Sequence, residues 1–369
     1  MKENTFKNVL LLLIITTTTI TQSQNNNVNE EINLFENVTM SGDWFLANSN
    51  TKNGDEDWGN KFIVKRSYFT LKKDINDIFS VRYTQDIAID KEGEDSGNVE
   101  TRMKYLYLKI EPKWKGKITG AYFEVGMVHR PWISYEQEVN PYRVQGNMAV
   151  ERNNLYNSAG FGILFGGNIG PEMDKDYLEN VNGTMKGKYA SFAIGIYNGG
   201  GYAAFEENTN KVFEGILNFR PFANTIPQIQ INHAFNIGKG NTEFSPTFNQ
   251  FLFHGGYVGK YFDLTGQYHF GQGDFEGNYV QPSNPSKSLK NDGFSIFSEY
   301  IFKNSPFAVF ARYDNFEVKE DKSNDTEREI MGVKYVLYNG ISLVLSGERV
   351  SYETKKEDLT VDLNMQISF

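Results

Sequence analysis

The chain closes on TVDLNMQISF, Thr360 to Phe369. Val361, Leu363, Met365, Ile367 and Phe369 alternate without a break with Asp362, Asn364, Gln366 and Ser368. Strict alternation over this length reads as a strand with one apolar and one polar face. The pattern alone leaves open whether the apolar face meets a protein core or lipid.

Composition narrows the setting. The 369 residues carry a net charge of −9 and the sequence pI is about 5.2, which argues against a nucleic-acid binder. There is no cysteine, so disulfides, thiolate metal sites and cysteine nucleophiles are excluded. Aromatics make up 15%, with 29 Phe and 21 Tyr, yet mean hydropathy is only −0.50. That combination is unusual for a compact soluble domain. It suits a barrel with aromatic girdles outside and a polar lumen inside.

Residues 1–23 read as a signal peptide. Lys2 and Lys7 precede the apolar run Val9 to Ile15, and Thr21 and Ser23 are the small residues at −3 and −1 of a cleavage point before Gln24. Residues 24–37 are a polar segment. No other stretch approaches the roughly 18 apolar residues of a membrane helix. An exported chain of this kind spans a membrane only as a closed barrel, because lipid satisfies no backbone groups.

From Val38 to Phe369 the chain reads as one domain of about 16 alternating segments, an even number as bacterial barrels require. Val81 to Ile89, Ser191 to Tyr197 and Phe307 to Tyr313 are examples. The predicted fold class is all-β, a transmembrane antiparallel barrel. Short breaks, such as Asn339-Gly340 and Lys303 to Pro306, are assigned to one end. Long ones, such as Pro171 to Lys186, Tyr202 to Asn210, Gly273 to Asn291 and Lys319 to Glu327, are assigned to the other. Within the strands, Phe307, Val309, Ala311 and Tyr313 oppose Ala308, Phe310, Arg312 and Asp314. Likewise Val81, Tyr83, Ile87 and Ile89 oppose Arg82, Thr84, Asp86 and Ala88. An Arg in mid-bilayer costs about 2–4 kcal/mol, so the charged faces line water. About 16 strands leave room for an aqueous channel.

Residues 129–156, HRPWISYEQEVNPYRVQGNMAVERNNLY, break the alternation. Pro131 and Pro141 do not fit a central strand. Arg130, Glu136, Glu138, Arg143, Glu151 and Arg152 accompany Trp132, Tyr135 and Tyr142. Spacing leaves two readings open: a loop folded back into the lumen, where charges set ion preference, or an ordinary surface loop.

Phe62 to Ile87, FIVKRSYFTLKKDINDIFSVRYTQDI, resembles the opening strands of the phosphate-selective porin O and P family. YFEVGMVHRPWISYE (Tyr122–Glu136) with MAVER (Met148–Arg152) resembles that family's strand and long loop. DGFSIFSEYIF (Asp292–Phe302) and the final VDLNMQISF resemble its closing strands. The resemblance implies an outer-membrane porin of a Gram-negative cell: 16 strands, an inward-folded loop, a homotrimer in the lipid bilayer, and passage of small hydrophilic solutes or anions without a cofactor. Lys65 and Arg66 fit the family's basic pair, and Arg130, Glu151 and Arg152 fit its loop. Arg130, Arg143, Glu136, Glu151 and Arg152 are therefore the expected constriction residues. Lys65, Arg66, Arg82, Arg102, Lys104, Arg312, Lys334 and Arg349 are the candidate lumen cations. The acidic net charge departs from the strongly basic interior of that family's phosphate-selective members, and their lysine cluster has no residue-by-residue match. A terminal aromatic, as in outer-membrane barrels generally, also implies that Phe369 marks the last strand for assembly.

Sequence signals for chemistry are weak. His129, His233, His254 and His269 lack zinc-site spacing. No nucleophile elbow or P-loop is present. HFGQGDFEG reads as a flexible turn, and the loop carboxylates as solvated charge without calcium-loop spacing. Two rivals to the porin reading stay open. One is a structural or secretion-associated barrel. The other is a barrel hydrolase using His254 or His269 as base.

Overall fold

The computed structural model describes residues 36–89, 97–114 and 116–369. The expected signal peptide, and residues 24–35 of the polar segment, lie outside the described residues. Sixteen strands form one closed antiparallel barrel. They are β1 (Val38–Asn53), β2 (Gly59–Asp74), β3 (Phe79–Ile89), β4 (Val99–Ile110), β5 (Ile118–His129), β6 (Ala159–Ile169), β7 (Ala190–Asn198), β8 (Lys211–Phe219), β9 (Ile229–Lys239), β10 (Thr247–Val258) and β11 (Phe262–Gln272), then β14 (Lys290–Ile301), β15 (Phe307–Val318), β16 (Thr326–Tyr338), β17 (Ile341–Tyr352) and β18 (Asp358–Ser368). A two-stranded hairpin, β12 (Val280–Gln281) and β13 (Asn284–Ser288), sits in the connection between β11 and β14. Among the described residues, three short α-helices complete the fold: α1 (Pro131–Val139), α2 (Ala149–Arg152) and α3 (Lys175–Asn180).

The strand that opened the sequence reading closes the barrel. β18 pairs with β1 from Asp43 opposite Ser368 to Asn53 opposite Asp358. Gly42 and Phe369 then exchange two backbone hydrogen bonds of 2.9 and 3.1 Å. Closure leaves no sheet edge to aggregate. Along β18, Val361, Leu363 and Met365 are exposed on the outer surface, while Asp362 and Asn364 are buried inside. The same alternation runs through β15, where Phe307 and Val309 face out and Arg312 and Asp314 face in. The outer face is therefore apolar around the barrel, as lipid requires. Aromatic contacts gather near the end that holds Phe369. Phe369 meets Trp44 at 5.3 Å, Tyr300 meets Phe302 at 5.0 Å, and Phe307 meets Tyr335 at 4.9 Å.

The two ends differ from the expected division. Connections at the end holding Phe369 are 75–78, 111–117, 170–189, 220–228, 259–261, 302–306 and 339–340. Six are short; the two-residue turn uses Gly340 at φ +81°, where L side chains are strained. Pro171 to Lys186, placed by length among the loops of the opposite end, is here instead. Strand parity decides this: an even-to-odd connection in an up-and-down barrel must return at the end where β1 starts.

Candidate functional site

The segment between β5 and β6 does not lie on the surface; it fills part of the lumen. Its ends stay together through the Arg130 amide, which donates to Ser158 O at 3.1 Å. Pro131 stops the strand and begins α1, the helical position where a missing N–H costs nothing. α1 buries Trp132, Ile133, Tyr135, Glu136 and Val139. Trp132, Ile133, Tyr135 and Val139 form an apolar cluster with Leu164, Ala193, Ile216, Ala234 and Leu252, which project inward from the wall. A second cluster puts Tyr142 and Val144 against Phe45, Phe297, Phe310, Ile330 and Val344.

Polar anchors fix the segment across the lumen. Arg130 Nε donates to Glu214 Oε2 at 2.8 Å with both side chains fully buried, and the guanidinium lies 5.0 Å from the Tyr197 ring. Glu136 accepts from Trp132 Nε1 at 3.0 Å and from Gln267 Nε2 at 2.9 Å. Burial pushes its carboxyl up to about 7. Tyr135 donates to Gln230 at 3.3 Å, and the Tyr142 ring stacks on Phe310 at 3.6 Å while its hydroxyl donates to Glu299. Further along, Arg312 Nη1 donates to Asn147 O at 3.0 Å, and Arg152 Nη1 meets Glu348 at 2.9 Å. Burial draws the Arg152 guanidinium down to about 10, which still leaves it charged at neutral pH.

The opposite side stays open. A cavity of about 490 Å³ separates the segment from β1–β4; it is lined by Tyr68, Arg82, Lys104 and Arg143, with Gln137 and Glu138 facing them. The Tyr68 hydroxyl oxygen accepts from Arg143 Nη2 at 3.0 Å, Lys104 Nζ at 3.1 Å and Arg66 Nη1 at 3.2 Å. Arg82 lies 4.5 Å from the Tyr105 ring centroid and contacts His129 Nε2 at 2.9 Å. Arg102 completes the group at 3.5 Å from Asp86, a fully buried carboxylate that also accepts from Tyr202. Five cations thus gather at this wall with four carboxylates: Asp43 and Glu138 line the cavity, and Asp86 and Glu151 lie behind it, the latter 3.8 Å from Arg143.

The structure sorts the sequence candidates. Arg82, Lys104 and Arg143 line the cavity, with Arg66, Arg102 and Glu151 behind them. Arg130 and Glu136 do not face it. They are sealed under the segment, because each has a buried partner on the far wall. Arg152, Arg312 and Lys65 act as clamps on the segment: Lys65 pairs with Asp362 at 2.5 Å and donates to Gln145 O. Lys334 faces inward, 5.8 Å from the Tyr142 ring. Arg349 is not a lumen cation. It points outward, half exposed, and pairs with Glu329 and Glu357, because its neighbour Glu348 takes the inward position. Sequence reasoning missed Tyr68 as the centre of the cluster. Its place two residues after Arg66 of the basic pair, on the same face of β2 as that arginine, was the available signal.

No family model and no curated protein matches the sequence. Solved structures do match its shape. OmpF of Salmonella typhi, solved with daunomycin, aligns at a TM-score of 0.60 and 11% identity, over 90% of this chain and 97% of that one. A loop-deletion mutant of OmpT, an outer membrane protein of Vibrio cholerae, gives 0.58 at 13% identity, over 90% and 100%. OprB of Pseudomonas putida gives 0.57 at 9% identity, over 90% and 94%. The fold is the outer-membrane β-barrel. At these identities the likeness is one of fold, and phosphate selectivity forms no part of it.

Proposed function

We propose that the chain is an outer-membrane porin that passes small hydrophilic solutes by diffusion, with a preference for anions. The observation that carries this reading is the cavity beside β2–β4. There Arg66, Lys104 and Arg143 converge on one hydroxyl oxygen. A phenol oxygen offers two lone pairs, fewer than three cationic donors need. An oxyanion such as phosphate offers more acceptor sites and negative charge, and would satisfy the cluster better. Similarity to a solved trimer form of Vibrio cholerae OmpT supports a homotrimer in the outer membrane. His254 and His269, the bases that a hydrolase would need, are buried in aromatic surroundings, His254 beneath Trp132 and Tyr135. That burial favours a passive pore over a barrel enzyme.

Planar-bilayer recording in asymmetric salt, with and without added phosphate, tests the proposal. Stepwise conductance with an anion-selective zero-current potential is expected, and phosphate should reduce chloride current by occupying the cluster. An absence of conductance would overturn the porin reading. Cation selectivity would overturn the anion preference alone.

A further inference from the structure

The 170–189 connection is the one long connection at the end where the others are short, and it folds inward. Asp174 caps α3 by accepting from Tyr177 N at 2.9 Å. Tyr177 is buried; its hydroxyl donates to Pro227 O and accepts from Gln230 Nε2 at 2.9 Å. Arg220, 1% exposed, reaches from the end of β8 to the carbonyls of Met185 and Gly187. The Gly183 amide donates to Glu138 on α1 at 3.0 Å. The segment is therefore fastened both to the wall and to the lumen-filling helix.

A second cavity, of about 260 Å³, adjoins the first. His129, Ser134 and Thr184 line both cavities, and Met185 and Lys186 line the second alone. The lining of the second includes Glu111, Glu124 and Glu172 with Lys109 and Lys186, so the excess of cations found above does not continue.

We infer that residues 171–187 form a second narrowing of the permeation path, where Thr184 closes against His129 and Ser134, in addition to the one that residues 130–158 make against β2–β4. The inference rests on the porin reading. A solute leaving the basic cavity meets this narrowing next, where carboxylates outnumber lysines. The two narrowings act in series, so size is tested twice while anion attraction acts at the first.

The chain has no cysteine, so Thr184→Cys supplies a single thiol. Lys303→Cys, in the exposed 302–306 turn, is the control. Open-channel current before treatment tests the porin reading. A negatively charged methanethiosulfonate reagent then tests the inference. Modification of Thr184→Cys is expected to cause a stepwise loss of conductance, while modified Lys303→Cys conducts as before. Thr184→Cys labelled without loss of current would place the segment outside the path and overturn the inference. Failure of Thr184→Cys to react, while Lys303→Cys does, would overturn it equally.

Discussion

Replacing Arg82 by Gln removes one charge from the cavity wall and leaves a shorter polar side chain. A 490 Å³ cavity has an equivalent radius of about 5 Å, and a unit charge at that distance contributes about 0.8 kcal/mol in water. A Debye length of about 10 Å at 0.1 M salt reduces this to about 0.5 kcal/mol. The sign is opposite for anion and cation, so the two differ by about 1 kcal/mol, or roughly five-fold in permeability ratio. Arg82→Gln should therefore lower the anion-to-cation ratio about five-fold, and less at 1 M salt, where the Debye length is about 3 Å. The assay is the zero-current potential across a salt gradient. Arg349→Gln is the control, since that side chain is outside the barrel. An unchanged potential in Arg82→Gln, or an equal shift in Arg349→Gln, would refute the assignment of the path to the β2–β4 side.

Glu214→Ala strands a buried guanidinium, which costs about 3–5 kcal/mol. The urea midpoint in detergent should fall and current noise should rise, and adding Arg130→Met should restore much of the midpoint. Glu136 has its carboxyl raised from 4.5 to about 7 by burial. The folded state therefore holds the proton more tightly, and the stabilisation is complete below pH 4.5 and lost as pH rises through 7. The difference is of order 3 kcal/mol; Glu136→Gln should flatten the melting temperature between pH 5 and pH 8. Deleting Phe369 removes two backbone hydrogen bonds and the Trp44 contact at the closing seam. Folded yield should fall while the conductance of inserted molecules stays the same; normal assembly would reduce Phe369 to a girdle residue.

The barrel was readable because lipid outside and water inside impose a period of two on every strand. Val361 and Asp362 declare their faces without help from distant residues. The site was less readable because its members differ in partners, not in local sequence. Arg130 and Arg143 belong to the same charged segment, yet one meets Glu214 across the lumen and the other meets Tyr68. Nothing near either residue specifies that. Glu348 and Arg349 are adjacent charges on an alternating strand, and their parity with inward Ser342 and Ser346 and outward Leu345 tells which enters the lumen. Length alone misplaced Pro171 to Lys186, where counting strands would have placed it correctly.

Because residues 130–158 pack against one part of the wall and leave a cavity against another, the barrel interior has a packed side and an open side. The two sides can therefore be altered separately. Substitutions on β8–β11, beneath Trp132 and Tyr135, change how firmly the molecule holds together and leave the charge of the path untouched. Substitutions of the charged side chains on β2–β4 change what passes, while Tyr105 and Tyr107 of β4 belong to the packed core and are kept. An engineer seeking a pore of new selectivity on an unchanged frame would work on the second set. One seeking a more durable frame would work on the first.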